Sequence, residues 1–194
     1  MHFFKAFLLI QFTSVILIAC ADSGSGSKND ADIDNNAAKT DTSKKSIPSQ
    51  VSKEIGNAEL AIKYHSPAVR GRIIWGGLVP YDNVWVTGAH KATSIEVSND
   101  FMVGEQRIPD GKYAIFTIPS KDEWTVIINK NWDQHLADEY TEIDDVVRIK
   151  VKPVALADTV ERLRYDIEQS GERLANVRIS WEKLQVAFSI QIVD

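Results

Sequence analysis

Apolar and polar residues alternate with a period of two through most of the chain beyond residue 58, the pattern of strands that bury one face and wet the other. AELAIKYH puts Leu60, Ile62 and Tyr64 on one face, and TSIEVS sets Thr93, Ile95 and Val97 opposite Ser94 and Glu96. KYAIFTIP, EWTVIINK, VVRIKVKP, RLRYDIEQ, LANVRISW and QVAFSIQIV follow, all short and rich in β-branched or aromatic side chains. Gly104-Glu105, Pro109-Asp110-Gly111 and Ser170-Gly171 supply turn chemistry between runs. Residues 131–145 are the one segment whose period fits a helix beyond about two turns. VVRIKV (146–151) and VAFSIQIV (186–193) read as central strands. Short strands with frequent turns predict an all-β fold, an antiparallel β-sandwich with a partly closed β-barrel as the alternative.

The N-terminus departs from this pattern. MHFFKAFLLIQFTSVILIAC carries one positive residue, Lys5, before a mainly apolar run over residues 6–19. As a helix that run spans roughly 21 Å, short of the ~30 Å hydrocarbon core of a bilayer, and so describes a secretory signal. Leu17-Ile18-Ala19-Cys20 resembles a lipobox, which implies cleavage before Cys20 and attachment through its acyl chains. Cys20 is the only cysteine, so once lipidated it leaves neither a disulfide nor a thiol nucleophile. Residues 21–50 hold no aromatic side chain and two isoleucines, too little apolar surface to offset the entropy of ordering. The expected organisation is a lipoprotein signal peptide over 1–19, a lipidated Cys20 with a flexible linker over 20–52, and a single all-β domain over 53–194. The expected location is the bacterial cell envelope, lipid-anchored and facing the periplasm or the cell exterior.

Charge narrows the partners. Removing Lys5 with the signal takes the formal charge from −5 to −6, and no block of Lys or Arg appears. The electrostatic footprint of a nucleic-acid binder is absent.

Several long runs resemble one family. SPAVRGRIIWGGLVPYDNVWVTGAHKAT, IPDGKYAIFTIPSKDEWTVIINKNW, VRIKVKP and LANVRISWEK look like the bacterial lipoprotein family known as domain of unknown function 2911. The resemblance covers about residues 58–192. It implies an all-β fold on a secreted, usually lipidated chain, and it brings no assigned reaction. This chain departs from the family pattern at His90, where asparagine is frequent, and at Val86, where a basic residue is frequent.

The candidate chemistry lies mainly between strands. His65, His90 and His135 sit at or beyond predicted strand ends, and three imidazoles could bind zinc and leave it an open position. Their separations match no metal motif, and neither HExxH nor GxSxG occurs. Arg70 and Arg72 suit a carboxylate or phosphate, or could pair with Asp82, Glu59 or Glu161 to pin their loop. Trp124 and Trp181 lie on the apolar phase of strands and read as core. Trp75 and Trp85, with Tyr81 between them, read as packing beneath a loop that turns on Gly76 and Gly77 and re-enters the sheet at residues 84–87. Trp132 stands among polar neighbours and either plugs one end of the sandwich or offers a flat face to a ligand. The expected function is that of a non-catalytic, membrane-anchored envelope lipoprotein binding a glycan, peptide or envelope protein through Arg70, Tyr81, His90 and Trp132, without a cofactor. The alternatives are a metal-dependent hydrolase holding zinc on His65, His90 and His135, and a scaffold in an outer-membrane complex.

Overall fold

The computed structural model describes residues 45–193; the expected signal, Cys20 and most of the expected linker lie outside the described residues. The first five strands are β1 (Ile47–Ile55), β2 (Ala58–Ser66), β3 (Thr93–Val97), β4 (Phe101–Val103) and β5 (Gln106–Ile108). They are followed by β6 (Gly111–Ile118), β7 (Trp124–Asn129), β8 (Asp145–Val151), β9 (Val154–Gln169) and β10 (Leu174–Ile192). Six strands form one sheet in the order β1-β2-β3-β6-β7-β8, and four form a second in the order β5-β4-β10-β9. Every pairing is antiparallel and neither sheet closes on itself, so the sandwich expected from the sequence holds and the barrel alternative does not.

The alternating residues meet between the sheets. Leu60, Ile62, Ile95, Ile115, Val126 and Ile128 come from the larger sheet, and Leu163, Tyr165, Ile167, Val177, Ile179 and Ile190 from the smaller. Burying each large side chain of this kind contributes about 1.5–3 kcal/mol relative to exposure. Trp124 and Trp181 are buried in this core as expected. They meet Trp75 and Trp85 in a cluster of four indoles. Trp75 lies 4.8 Å from Trp124 and 5.8 Å from Trp181, both edge-on, while Trp85 stacks on Trp181 at 5.7 Å and 18°. Trp75 and Trp85 therefore pack beneath the loop that carries them.

That loop, residues 67–92, contains no named strand. It is fastened by isolated bridges instead. Trp85 exchanges both backbone hydrogen bonds with Thr117, at 2.8 and 3.0 Å, taking the place beside β6 that β3 has vacated. Gly77 turns so close to the chain that a Cβ there would sit 2.5 Å from the Ile73 carbonyl oxygen, and Tyr81 lies against Gly76, which has a φ of +76°. Thr87 is fully buried at a φ of +51°, unusual for a β-branched residue. Its carbonyl accepts hydrogen bonds from Thr93 Oγ1 (3.0 Å) and Tyr165 Oη (2.9 Å), and its Oγ1 lies 3.0 Å from Thr117 Oγ1. These tertiary bonds hold a conformation that local sterics disfavour by about 1–2 kcal/mol.

Four sequence expectations differ from the structure. The ordered domain starts earlier than residue 53, because β1 pairs with β2 along its whole length from Ile47. Residues 131–145 form no α-helix but an irregular loop with one 3₁₀ turn at Glu142–Asp144. β8 is an edge strand, not a central one, while LANVRISW and QVAFSIQIV fuse into the single long interior strand β10. β10 bends at Glu182, where the register shifts against β9 and φ is +54°, the local signature of a bulge.

Candidate ligand-binding site

The outer face of the larger sheet is covered unevenly. Over β6 and β7, Ala114, Phe116 and Ile127 are buried beneath Val86, Ala92, Ala137 and Tyr140 from the loops before β3 and after β7. Toward β1 and β2 the cover stops and leaves an open cavity of about 470 Å³. The strand period decides what faces it. Ile62 and Tyr64 point into the core, so Lys63 and His65 point out; Ser94 pairs with Lys63 across β2–β3, and Lys112 shares the outward phase of Ala114. The loops add Lys91, Trp132 and Asp133 to the wall.

Polar contacts hold these side chains. Ala92 N–H donates to the Gln134 carbonyl at 3.0 Å and Leu136 N–H to the His90 carbonyl at 2.5 Å, fastening the two loops together. Lys91 Nζ adds a bridge to Asp133 at 3.1 Å, exposed on both sides and therefore worth at most about 1 kcal/mol. Lys112 Nζ lies 3.6 Å from the centre of the Trp132 ring, a cation–π contact that fixes the indole over the cavity. Three lysines face one carboxylate in the lining, so the cavity favours anions.

The histidines separate into two groups. The His65 and His90 rings meet edge-on at 5.3 Å, whereas His135 Nδ1 pairs with Asp138 Oδ2 at 3.0 Å. The backbones of His135 and Lys91 are bridge partners, so all three histidines lie near one end of the sheet. Among the described residues, no group of three or more His, Cys, Asp or Glu side chains is arranged to hold a metal ion. His90 adopts a φ of +62°, a left-handed conformation that asparagine tolerates better than most residues.

Desolvation holds the His65 pKa below its ordinary 6.5, with further lowering from His90 and Lys91. Lys63, Lys112 and Asp133 complete the charged groups around this cavity. The unfolded chain thus binds a proton that the folded chain resists, so stability is full above pH 6.5 and declines as pH falls toward the folded pKa. In an NMR titration His65 is expected to protonate below 6.5, and His90→Asn, which keeps the backbone conformation, is expected to move that midpoint upward. An unmoved midpoint would remove His90 as a cause.

The other expected site residues are placed elsewhere. Arg70 lines a second cavity, and Tyr81 lines neither but packs on Gly76. The RGR loop is held at both arginines: the Arg70 backbone N–H donates to Glu161 Oε1 at 2.9 Å, and the Arg72 guanidinium donates to the backbone carbonyls of Ala68 and Val69 at 2.5 and 3.2 Å. Sequence reasoning did not single out Lys63, Lys91 and Lys112. Each is an ordinary polar-phase or loop lysine, and only cross-strand register brings them together.

Fold and cavity define an antiparallel two-sheet domain that presents an open, cationic, aromatic-walled surface. The chain belongs to the family described as Protein of unknown function (DUF2911), whose model matches residues 46–190, from just before β1 to two residues short of the end of β10. Neither curated proteins nor solved structures give a match to it.

Proposed function

We propose that this protein is a lipid-anchored lipoprotein of the bacterial envelope whose β-sandwich domain binds an acidic glycan without transforming it. The observation that carries the reading is Trp132, an exposed aromatic plane held by Lys112 over a cavity that also presents Lys63 and Lys91. The C–H face of a sugar ring packs on an indole, and a uronate or other acidic substituent pairs with the lysines. Support for the anchor comes from the N-terminal sequence, with its short apolar run and its single cysteine at the Leu17-Ile18-Ala19-Cys20 boundary.

Calorimetric titration with uronate-containing oligosaccharides and neutral ones of equal length tests the binding. The acidic series should bind more tightly, and Trp132→Ala should weaken it by about tenfold, the loss of one good aromatic contact. Equal affinity for neutral sugars, or full affinity in Trp132→Ala, would remove this site. The metal-dependent hydrolase alternative retains the His65–His90 contact in its favour, and a metal-free preparation that takes up no zinc on titration would count against it.

A further inference from the structure

The second cavity has a different character from the first. It encloses about 360 Å³ above the stacked indoles of Trp85 and Trp181. Its lining includes Lys45, Arg70 and Arg72 and no acidic residue. Leu78 and Leu136 stand exposed on its wall, and Ile73, 78% exposed, sits beside Leu78, whose N–H donates to the Ile73 carbonyl at 3.0 Å. Ile47, also exposed, follows two residues after Lys45. Four of the seven exposed large apolar side chains among the described residues therefore gather around one end of the domain, mixed with three cations. Scattered single apolar residues are ordinary on a surface, but a contiguous group marks an interaction site.

The chain enters the domain at this same place. Arg162 Nη1 donates to the Lys45 carbonyl at 3.2 Å and to the Ser66 carbonyl at 2.9 Å, which fixes the entry point at the cavity rim. The apolar run and Cys20 precede that point by fewer than 40 residues. A domain attached to a bilayer through this end presents the patch to the lipid at high effective concentration.

We infer that Ile73, Leu78 and Leu136, with Lys45, Arg70 and Arg72, form a docking surface for a membrane containing anionic lipid, the apolar side chains entering the interface and the cations pairing with headgroup phosphates. The inference rests on the anchored reading proposed above and is independent of the glycan. Each Lys or Arg near an anionic leaflet strengthens association about fivefold, and the buried apolar side chains add to this. Docking at this end leaves the Lys63–Trp132 cavity, on the outer face of the larger sheet, to recruit its ligand.

Hydrogen–deuterium exchange of the full chain on vesicles tests it, comparing phosphatidylcholine alone with phosphatidylcholine containing phosphatidylglycerol. Amides of residues 70–79 should exchange about tenfold more slowly on the anionic vesicles, while the β-strands exchange equally on both. The double variant Ile73→Asp/Leu78→Asp changes two exposed positions and should abolish the difference, with the tryptophan circular dichroism confirming an intact fold. Equal exchange on the two vesicle types, or slowing that persists in the double variant, overturns docking alone. A chain that associates with neither vesicle overturns both docking and the anchored reading.

Discussion

Trp181→Ala is expected to destabilise the domain by about 3–5 kcal/mol, the range for truncating a fully buried aromatic. At this domain size that lowers the thermal midpoint by roughly 10–15 °C, a large share of an ordinary domain's stability. Trp181 is 1% exposed and touches both Trp75 and Trp85, at 5.8 and 5.7 Å. The substitution therefore opens a cavity and also removes the plate on which two residues of the 67–92 loop rest. A second consequence separates this from a general loss of packing. The coupled tryptophan signal in circular dichroism should collapse at temperatures where β-sheet content is unchanged, because the interacting ring set loses a member. Trp132→Ala is the matching control: its ring is exposed, and it should move the midpoint by no more than a surface substitution does. If Trp181→Ala melts with the wild-type midpoint, the four-indole cluster does not exist as described.

The contrast between these tryptophans shows what the sequence made legible. Trp124 and Trp181 sit in runs with a clean two-residue period, and burial follows from period alone. β2 and the second half of β9 were legible because one face is buried and the other wet, and β3, β6 and β7, buried on both faces over most of their length, because their runs are short and rich in β-branched and aromatic residues. β1 escaped because it is an edge strand whose side chains are mostly exposed, leaving almost no alternation to read. Its true marker was the dipeptide Gly56-Asn57, a hairpin signal that closes β1 onto β2 with Gly56 at φ +62°. β8 looked central because VVRIKV is rich in valine and isoleucine, yet strand composition reports side-chain burial and says little about which neighbours supply hydrogen bonds.

The candidate site was less legible, and the reason is geometric. Residue type alone suggested Arg70, Tyr81, His90 and Trp132 as one loop-borne group. Two of them lie near the cavity on the larger sheet, Trp132 in its wall and His90 against His65, while Arg70 and Tyr81 are placed elsewhere. Lys63, Lys91 and Lys112 converge only because β2, β3 and β6 are neighbours in that register, with Lys63 opposite Ser94 and Ser94 opposite Ala114. No spacing within the chain encodes that neighbourhood. The loop before β3 hides further information, since left-handed backbone at Thr87 and His90 is imposed by tertiary bonds rather than by glycine.

The loop that carries Trp132 depends on one buried amide, and Asn129→Leu is expected to release it. Asn129 is fully buried at the end of β7. Its Nδ2 donates to the Thr141 carbonyl at 3.1 Å and to Asp145 Oδ1 at 2.8 Å, and its Oδ1 accepts from Asn131 N–H at 2.8 Å. One side chain thus ties both ends of the loop between β7 and β8. Leucine has nearly the same shape but leaves the Asn131 N–H and the Thr141 carbonyl without these partners and weakens the hold on Asp145. The Thr141 carbonyl keeps the Asp144 N–H at 3.2 Å, so the Asn131 N–H is the main group left unsatisfied, and the loss should be about 1–3 kcal/mol. Asp145 keeps the Tyr140 hydroxyl at 2.8 Å, so the damage should fall first on the loop and not on β8. Hydrogen exchange should accelerate over residues 130–141 well before the sheet itself opens. The functional cost follows from the same bonds: once the loop is free, Trp132 no longer stands over Lys112, and affinity for an acidic glycan should fall at least as far as in Trp132→Ala. A variant that loses stability but binds as tightly as the wild type would show that Trp132 takes its place on the ligand without help from Asn129.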